Sequence, residues 1–100
     1  MTEEKPNNEG SDARLYRIEG RVQGVGFRWW TRQMASQLGL RGTVRNLRDG
    51  SVEIRVAGPA EVLDELESRL DRGPTPARVA SVERSEQAPE VERDGFEIVR

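Results

Sequence analysis

Residues 20–28 read Gly20-Arg21-Val22-Gln23-Gly24-Val25-Gly26-Phe27-Arg28, a glycine-spaced segment between a strand-like run and a helix-like run. Glycine tolerates the positive φ angles that a concave nest of backbone N–H groups requires, and it lets the main chain approach a ligand closely. The positive end of the following helix adds to the attraction for an anion. Arg28 adds a planar, permanently charged fork that matches phosphate or carboxylate oxygens in pairs. The segment therefore predicts a site for a group of phosphate size.

The segments on either side of this loop have different periodicities. Leu15 to Glu19 alternate as a half-buried strand does, with Tyr16 and Ile18 on one face. After the loop, apolar residues recur at helical spacing: Phe27, Trp30, Met34 and Leu38. Gly39 supplies a C-terminal stop, so we expect a helix of about three turns. We expect the two tryptophans at its start, Trp29 and Trp30, to belong to the core.

A β-hairpin and a second helix are predicted next. Arg41 to Leu47 and Ser51 to Ala57 flank Arg48-Asp49-Gly50, and Asp-Gly between alternating runs is a strong hairpin signal. Pro59 is suited to the first helical position, and Gly73-Pro74 would end the helix. The apolar stripe of this helix comprises Val62, Leu63, Leu66 and Leu70. A strand near Arg78 to Ser85 and a short one at Phe96 to Val99 complete the chain.

The order βαββαβ plus a short final strand predicts an α+β fold, the ferredoxin-like two-layer sandwich. In that fold two right-handed crossovers place both helices on one face of a mostly antiparallel sheet. We expect residues 1–12, which are polar and rich in turn formers, to form a disordered tail, and residues 13–100 to form one domain. Unrelated proteins use the same order, so the fold decides little about function.

Composition limits the chemistry that the chain can perform. One hundred residues suit a single domain, and cysteine and histidine are both absent. Their absence removes the thiolate nucleophile, the imidazole base and the usual ligands of zinc, copper or haem, so we expect no metal and no cofactor. No apolar stretch is long enough to span a bilayer and no leader is evident, so we expect a soluble, cytoplasmic protein.

Charge is distributed unevenly along the chain. Residues 13–48 hold eight arginines against the single acid Glu19, a charge of +7, so the net charge of −2 leaves −9 for the remainder. Such asymmetry attracts anions. The alternative is that folding interleaves the two halves and the charges pair on the surface.

Two segments resemble the signatures of the acylphosphatase family. Residues 18–28, from Ile18 to Arg28, resemble the first signature throughout. The second is similar to Gly42-Thr43-Val44-Arg45-Asn46, followed by Gly50-Ser51-Val52 and then Gly58. The family usually has an aromatic residue where Thr43 stands, a departure that concerns packing beside the site more than its chemistry. The resemblance covers essentially everything after the tail.

The resemblance implies a hydrolase that cleaves the carboxyl-phosphate anhydride of small acyl phosphates to carboxylate and inorganic phosphate. It implies that the loop cradles the phosphate with its backbone amides, that Arg28 binds it and that Asn46 orients the attacking water. The loop residues are Gly20, Arg21, Val22, Gln23, Gly24, Val25 and Gly26. An anhydride has a good leaving group, so charge stabilisation and water placement matter more than a strong base. The remaining arginines are interpreted as solvated surface charges, although Arg21 and Arg45 lie near enough in sequence to assist through their long-range field.

Two other functions stay open. One is a non-catalytic domain that binds phosphate or carbamoyl phosphate, because acylphosphatase-like modules that resemble this sequence in the same loop also occur at the start of larger maturation proteins. A free-standing chain with Asn46 favours the enzyme. An RNA-recognition domain would need exposed aromatics on its central strands, and only Tyr16 is available there. We expect a monomer that acts on a small molecule, with no nucleic-acid or membrane partner.

Overall fold

The computed structural model describes residues 11–100 and confirms the predicted order of elements. The elements are β1 Asp12–Arg21, α1 Phe27–Gln37, β2 Arg41–Asn46, β3 Val52–Gly58, α2 Ala60–Leu70, β4 Arg78–Arg84 and β5 Phe96–Ile98. β1 is longer at both ends than the predicted strand. It begins at Asp12, which was predicted to be the last residue of the tail. The rest of the predicted tail, residues 1–10, lies outside the described residues.

One five-stranded sheet has the order β4-β1-β3-β2-β5. β1 is antiparallel to β3 and β4, β2 is antiparallel to β3, and β5 runs parallel to β2. α1 packs over β2 and β5, and α2 packs over β3. This is the predicted ferredoxin-like sandwich, with one face of the sheet covered by helices.

The core lies between the sheet and the helices, as the alternation in the strands and the helical spacing of apolar residues predicted. Alternate strand residues and the inner faces of both helices supply buried side chains: Tyr16, Ile18, Val44, Val52, Ile54, Val56, Phe27, Met34, Leu63, Leu66 and Leu70. The expectation for Trp29 was wrong, since it is 60% exposed. It lies two positions after the buried Phe27, about 200° around the helix. Trp30 does pack on the core, with its ring centroid 5.4 Å from that of Phe27.

Strand direction brings the candidate residues to one edge of the sheet. β1 and β2 are both antiparallel to β3, which lies between them, so they run in the same direction. Their carboxyl ends, Arg21 and Asn46, therefore lie at the same edge. α1 starts there as well, because the short loop after β1 leads directly into it. The loop, Arg28 and Asn46 thus converge although 18 positions separate Arg28 from Asn46 in the sequence.

Candidate functional site

Gly20 and Arg21, the first two residues of the predicted cradle, belong to β1. They pair with Val79 and Arg78 of β4, after a register shift between Glu19 and Gly20. A Cβ on Gly20 would lie 2.1 Å from the carbonyl oxygen of Arg78, so β4 itself requires glycine at this position. Gly20 is thus explained by close strand packing, and the loop proper is residues 22–26.

Positive φ angles explain the other two glycines of the loop. Gly24 has a φ of +78° and Gly26 a φ of +81°, and no atom within 4 Å would obstruct a Cβ at either position. Backbone conformation is therefore the reason for glycine at both positions. Gly26 immediately precedes α1, and no side chain from residues 11–100 caps the first N–H groups of that helix. The helix start is left with donors that an anion can bind.

Side chains of the loop fix its backbone in place. Val22 is 1% exposed, and Val25 packs partly on the core. Nε2 of Gln23 donates to the carbonyl oxygens of Leu47 and Ser51, each at 2.8 Å. Leu47 directly follows Asn46, so Gln23 ties the glycine loop to the turn beside Asn46. The sequence offered no signal for this contact, because it joins residues 24 positions apart.

Charge pairing has neutralised part of the basic segment, as the alternative interpretation expected. Nη1 of Arg14 lies 2.9 Å from Asp64 Oδ1, and Nε of Arg45 lies 2.8 Å from Glu53 Oε1. Glu53 also pairs with Arg55, whose Nε lies 3.3 Å from the same oxygen, so one carboxylate is shared by two arginines. Arg17 is paired as well, with Glu19 and Asp49.

Arg28 differs from these arginines. It is the second residue of α1, is half-buried, and forms no ion pair with any residue from 11 to 100. Arg21, Arg32 and Arg48 also lack an acidic partner in that part of the chain, but each is exposed. Arg41 is half-buried without an acidic partner as well, but its Nη1 donates to the carbonyl oxygen of Val91 at 3.0 Å. A half-buried guanidinium without a counter-ion, at the start of an uncapped helix, is suited to bind an anion from solution.

Asn46 is the last residue of β2. Because it lies two positions after the buried Val44, its side chain is on the same face of the sheet, the face that the helices cover. Its Oδ1 is buried and has no hydrogen-bond partner in the described chain. An asparagine beside a turn usually bonds to nearby backbone. Here that role falls to Asp49, whose Oδ1 accepts hydrogen bonds from the Ser51 hydroxyl at 2.5 Å and the Ser51 N–H at 3.0 Å.

The turn between β2 and β3 is held by charge as well as by hydrogen bonds. Hydrogen bonds from the hydroxyl and the backbone N–H of Ser51, together with Arg17, hold the pKa of Asp49 well below its usual range. Asp49 therefore stays ionised and keeps its bond to Arg17 of β1. The turn is fixed from one side by Arg17 and from the other by Gln23.

Thr43, which stands where the family usually has an aromatic residue, lies on the face of the sheet away from the helices. Thr43 pairs with Arg55 of β3 on the open face. It helps to line a cavity of about 540 Å³, together with Gly42, Arg55, Glu90, Val91, Glu92 and Arg93. Asn46 faces the helix side, so a smaller residue at 43 leaves the candidate site unchanged.

Neither a metal cluster nor a spanning helix is found between residues 11 and 100. No group of three or more acidic, histidine or cysteine side chains there could hold a metal ion. None of the helices in this range is long and apolar enough to cross a membrane.

Comparisons with known proteins identify the family and the fold. A sequence model of the acylphosphatase family matches residues 14–98. An acylphosphatase of Koribacter versatilis is 47% identical over 90 residues, covering 90% of this chain and 82% of its own. The structure of an acylphosphatase from Coxiella burnetii superposes with a TM-score of 0.84 at 32% identity, covering 91% of this chain and 95% of its own. HypF of T. kodakarensis gives a TM-score of 0.77 at 32% identity, but the 89% of this chain that aligns covers only 12% of HypF.

Proposed function

The chain belongs to the acylphosphatase family, and from that premise we propose how its own residues bind and cleave an acyl phosphate. The enzyme hydrolyses the carboxyl-phosphate anhydride bond, releasing a carboxylate and inorganic phosphate. Two tasks follow from this chemistry. The negative charge of the phosphoryl group must be offset, and a water molecule must be placed in line with the bond that breaks.

The backbone amides of residues 22–26 and the first N–H groups of α1 form the phosphate cradle. Support comes from the left-handed glycines at 24 and 26 and from the absence of a side-chain cap on α1 within residues 11–100. Arg28 adds two parallel donors and a full charge. Because these groups are fixed before substrate binds, they stabilise the transition state without reorganising.

Asn46 orients the attacking water from the side of β2. Its carboxamide accepts and donates hydrogen bonds but takes no proton at neutral pH, so it acts by placement alone. The orphaned, buried Oδ1 is the observation that supports this role, since a purely structural asparagine would bond to the turn. Gln23 keeps the turn and the loop at a fixed separation.

One observation carries the assignment as a whole. A half-buried arginine without a partner, an uncapped helix start and an asparagine with an orphaned oxygen meet at one edge of the sheet. The RNA-recognition alternative loses its support, because Tyr16 is fully buried and its hydroxyl donates to Glu67 Oε1 at 2.7 Å. The similarity to part of HypF keeps the non-catalytic module as the second candidate.

Turnover of an aryl acyl phosphate by the purified chain tests the proposal. We expect release of phosphate from the acyl phosphate and none above background from the matching aryl phosphate monoester, whose leaving group is poorer. Inorganic phosphate should inhibit competitively. Binding of phosphate without any turnover would identify the non-catalytic module instead.

The setting in which the enzyme works is also a proposal. We infer a monomer in the cytoplasm that acts on a small-molecule acyl phosphate without nucleic acid. Light scattering of the purified chain during turnover tests whether the active protein is a monomer. A dimeric mass would contradict this proposal.

A further inference from the structure

Two side-chain oxygens are buried without a hydrogen-bond partner in residues 11–100: Thr31 Oγ1 and Asn46 Oδ1. Thr31 is 0% exposed and is one of only two buried polar residues in that range. A buried hydroxyl without a partner destabilises a fold, whereas valine has nearly the same shape without that cost. Packing alone therefore gives no reason for threonine at this position.

Both oxygens lie at the same end of the same layer. Thr31 is three positions after Arg28, one turn into α1, on the buried face that also includes Phe27, Met34 and Ala35. α1 packs against β2, and β2 ends at Asn46, at the edge where α1 begins. Asn46 points from the sheet toward the helices, and Thr31 points from the helix toward the sheet.

We propose that Thr31 is a positioning residue that fixes the carboxamide of Asn46. Its hydroxyl donates to one buried water, which in turn donates to Asn46 Oδ1, and both orphaned oxygens are then satisfied. An amide held at its oxygen no longer rotates about its terminal bond. The second lone pair of Oδ1 and the N–H groups of Nδ2 then keep fixed directions toward the attacking water and the phosphoryl group.

This inference rests on the proposed function, and its chemical consequence is specific. Thr31 touches neither the substrate nor the attacking water and acts only through Asn46. Removing its hydroxyl should therefore lower kcat and leave the affinity for phosphate unchanged. Stability should fall modestly, because Asn46 Oδ1 then loses its donor. A residue with a purely structural role would lower stability and leave the kcat of the folded protein unchanged.

The kinetic test compares Thr31→Val, which removes the hydroxyl at constant shape, with Thr31→Ser, which keeps it. We expect Thr31→Val to lower kcat about tenfold, the effect of one lost orienting hydrogen bond, with KM and phosphate inhibition within about twofold of wild type. Thr31→Ser should retain most of the wild-type kcat. In the Asn46→Ala background, Thr31→Val should have no further effect.

A second measurement does not depend on turnover. The side-chain amide protons of Asn46, assigned by their loss in Asn46→Ala, should shift and exchange faster in Thr31→Val but not in Thr31→Ser. Thr31→Ala serves as a second variant without the hydroxyl if Thr31→Val folds poorly. Unchanged Asn46 amide signals, or a wild-type kcat in the variants without the hydroxyl, would overturn the proposal. If wild type shows no turnover at all, the proposed function fails and the amide signals alone decide the role of Thr31.

Discussion

Gln23 donates a hydrogen bond of 2.8 Å from its side-chain Nε2 to the backbone carbonyl of Leu47. The donor lies in the glycine loop, and the acceptor lies one residue beyond Asn46. The two halves of the site, one on each side of α1 in the sequence, are therefore joined by a single side chain. In the proposed mechanism the relative placement of anion and water depends on this bond.

Replacing Gln23 by methionine tests that connection. Gln23→Met keeps the length of the side chain and removes both hydrogen bonds, so we expect kcat/KM to fall about tenfold and the free energy of unfolding to fall by about 1–2 kcal/mol. Steady-state kinetics and urea unfolding measure the two effects. Gln33→Met on α1 is the matched control, since Gln33 makes no hydrogen bond to a side chain or turn in the described chain. Equal activity of the two variants would show that Gln23 does not position the site.

Arg28 should not tolerate lysine. Lysine keeps the charge but loses the paired, planar donors, so Arg28→Lys should lose nearly as much kcat/KM as Arg28→Ala, about 10³-fold. The inhibition constant of inorganic phosphate should rise in both variants. Arg32→Lys, an exposed position one turn further along α1, should behave as wild type. Near-normal kinetics of Arg28→Lys would mean that charge alone is sufficient.

Activity should survive removal of metal ions. Neither cysteine nor histidine occurs in the sequence, and the proposed stabilisation of charge comes from Arg28 and backbone amides. We expect the same kcat before and after dialysis against EDTA, and no stimulation by magnesium or zinc. Loss of turnover with EDTA that either ion restores would refute this mechanism.

Stability should decline at high pH because of Tyr16. Burial, together with the hydrogen bond to Glu67, raises the pKa of Tyr16 from 10.0 to about 12, although the hydrogen bond from Arg14 acts to lower it. Its stabilising contribution is complete below pH 10 and is lost as the pH rises toward the folded-state pKa, because the unfolded chain ionises first. The sequence has one tyrosine. Urea unfolding across this range should give a falling free energy for wild type and a flatter dependence for Tyr16→Phe, and equal slopes would contradict the assignment.

Local signals predicted most of the fold. Alternation in β1 and β3, the helical stripes in α1 and α2, and Asp49-Gly50 at the hairpin all appear where the sequence placed them. Trp29 was misassigned because a large aromatic residue on an amphipathic helix is usually buried. Trp29 is exposed because it lies two positions after the buried Phe27, and the helical spacing alone could have predicted this.

The candidate site was predicted from two separate motifs, and strand direction places Gly24, Gly26, Arg28 and Asn46 at one edge of the sheet. Gly20 packs against β4, and Arg45 is paired with Glu53. These outcomes depend on strand pairing, which joins residues far apart in the sequence. The contact of Gln23 with the hairpin and the orphaned hydroxyl of Thr31 could not be foreseen for the same reason.

The account depends most directly on Asn46, which is proposed to place water and to contribute little to phosphate binding. Asn46→Ala should lower kcat by about 10² or more, the effect of removing one preorganised polar group. The inhibition constant of inorganic phosphate should stay near the wild-type value, in contrast to the Arg28 variants. Circular dichroism should confirm that the variant is folded. A folded Asn46→Ala protein that keeps most of its kcat would contradict the account and leave Asn46 as a residue of the hairpin.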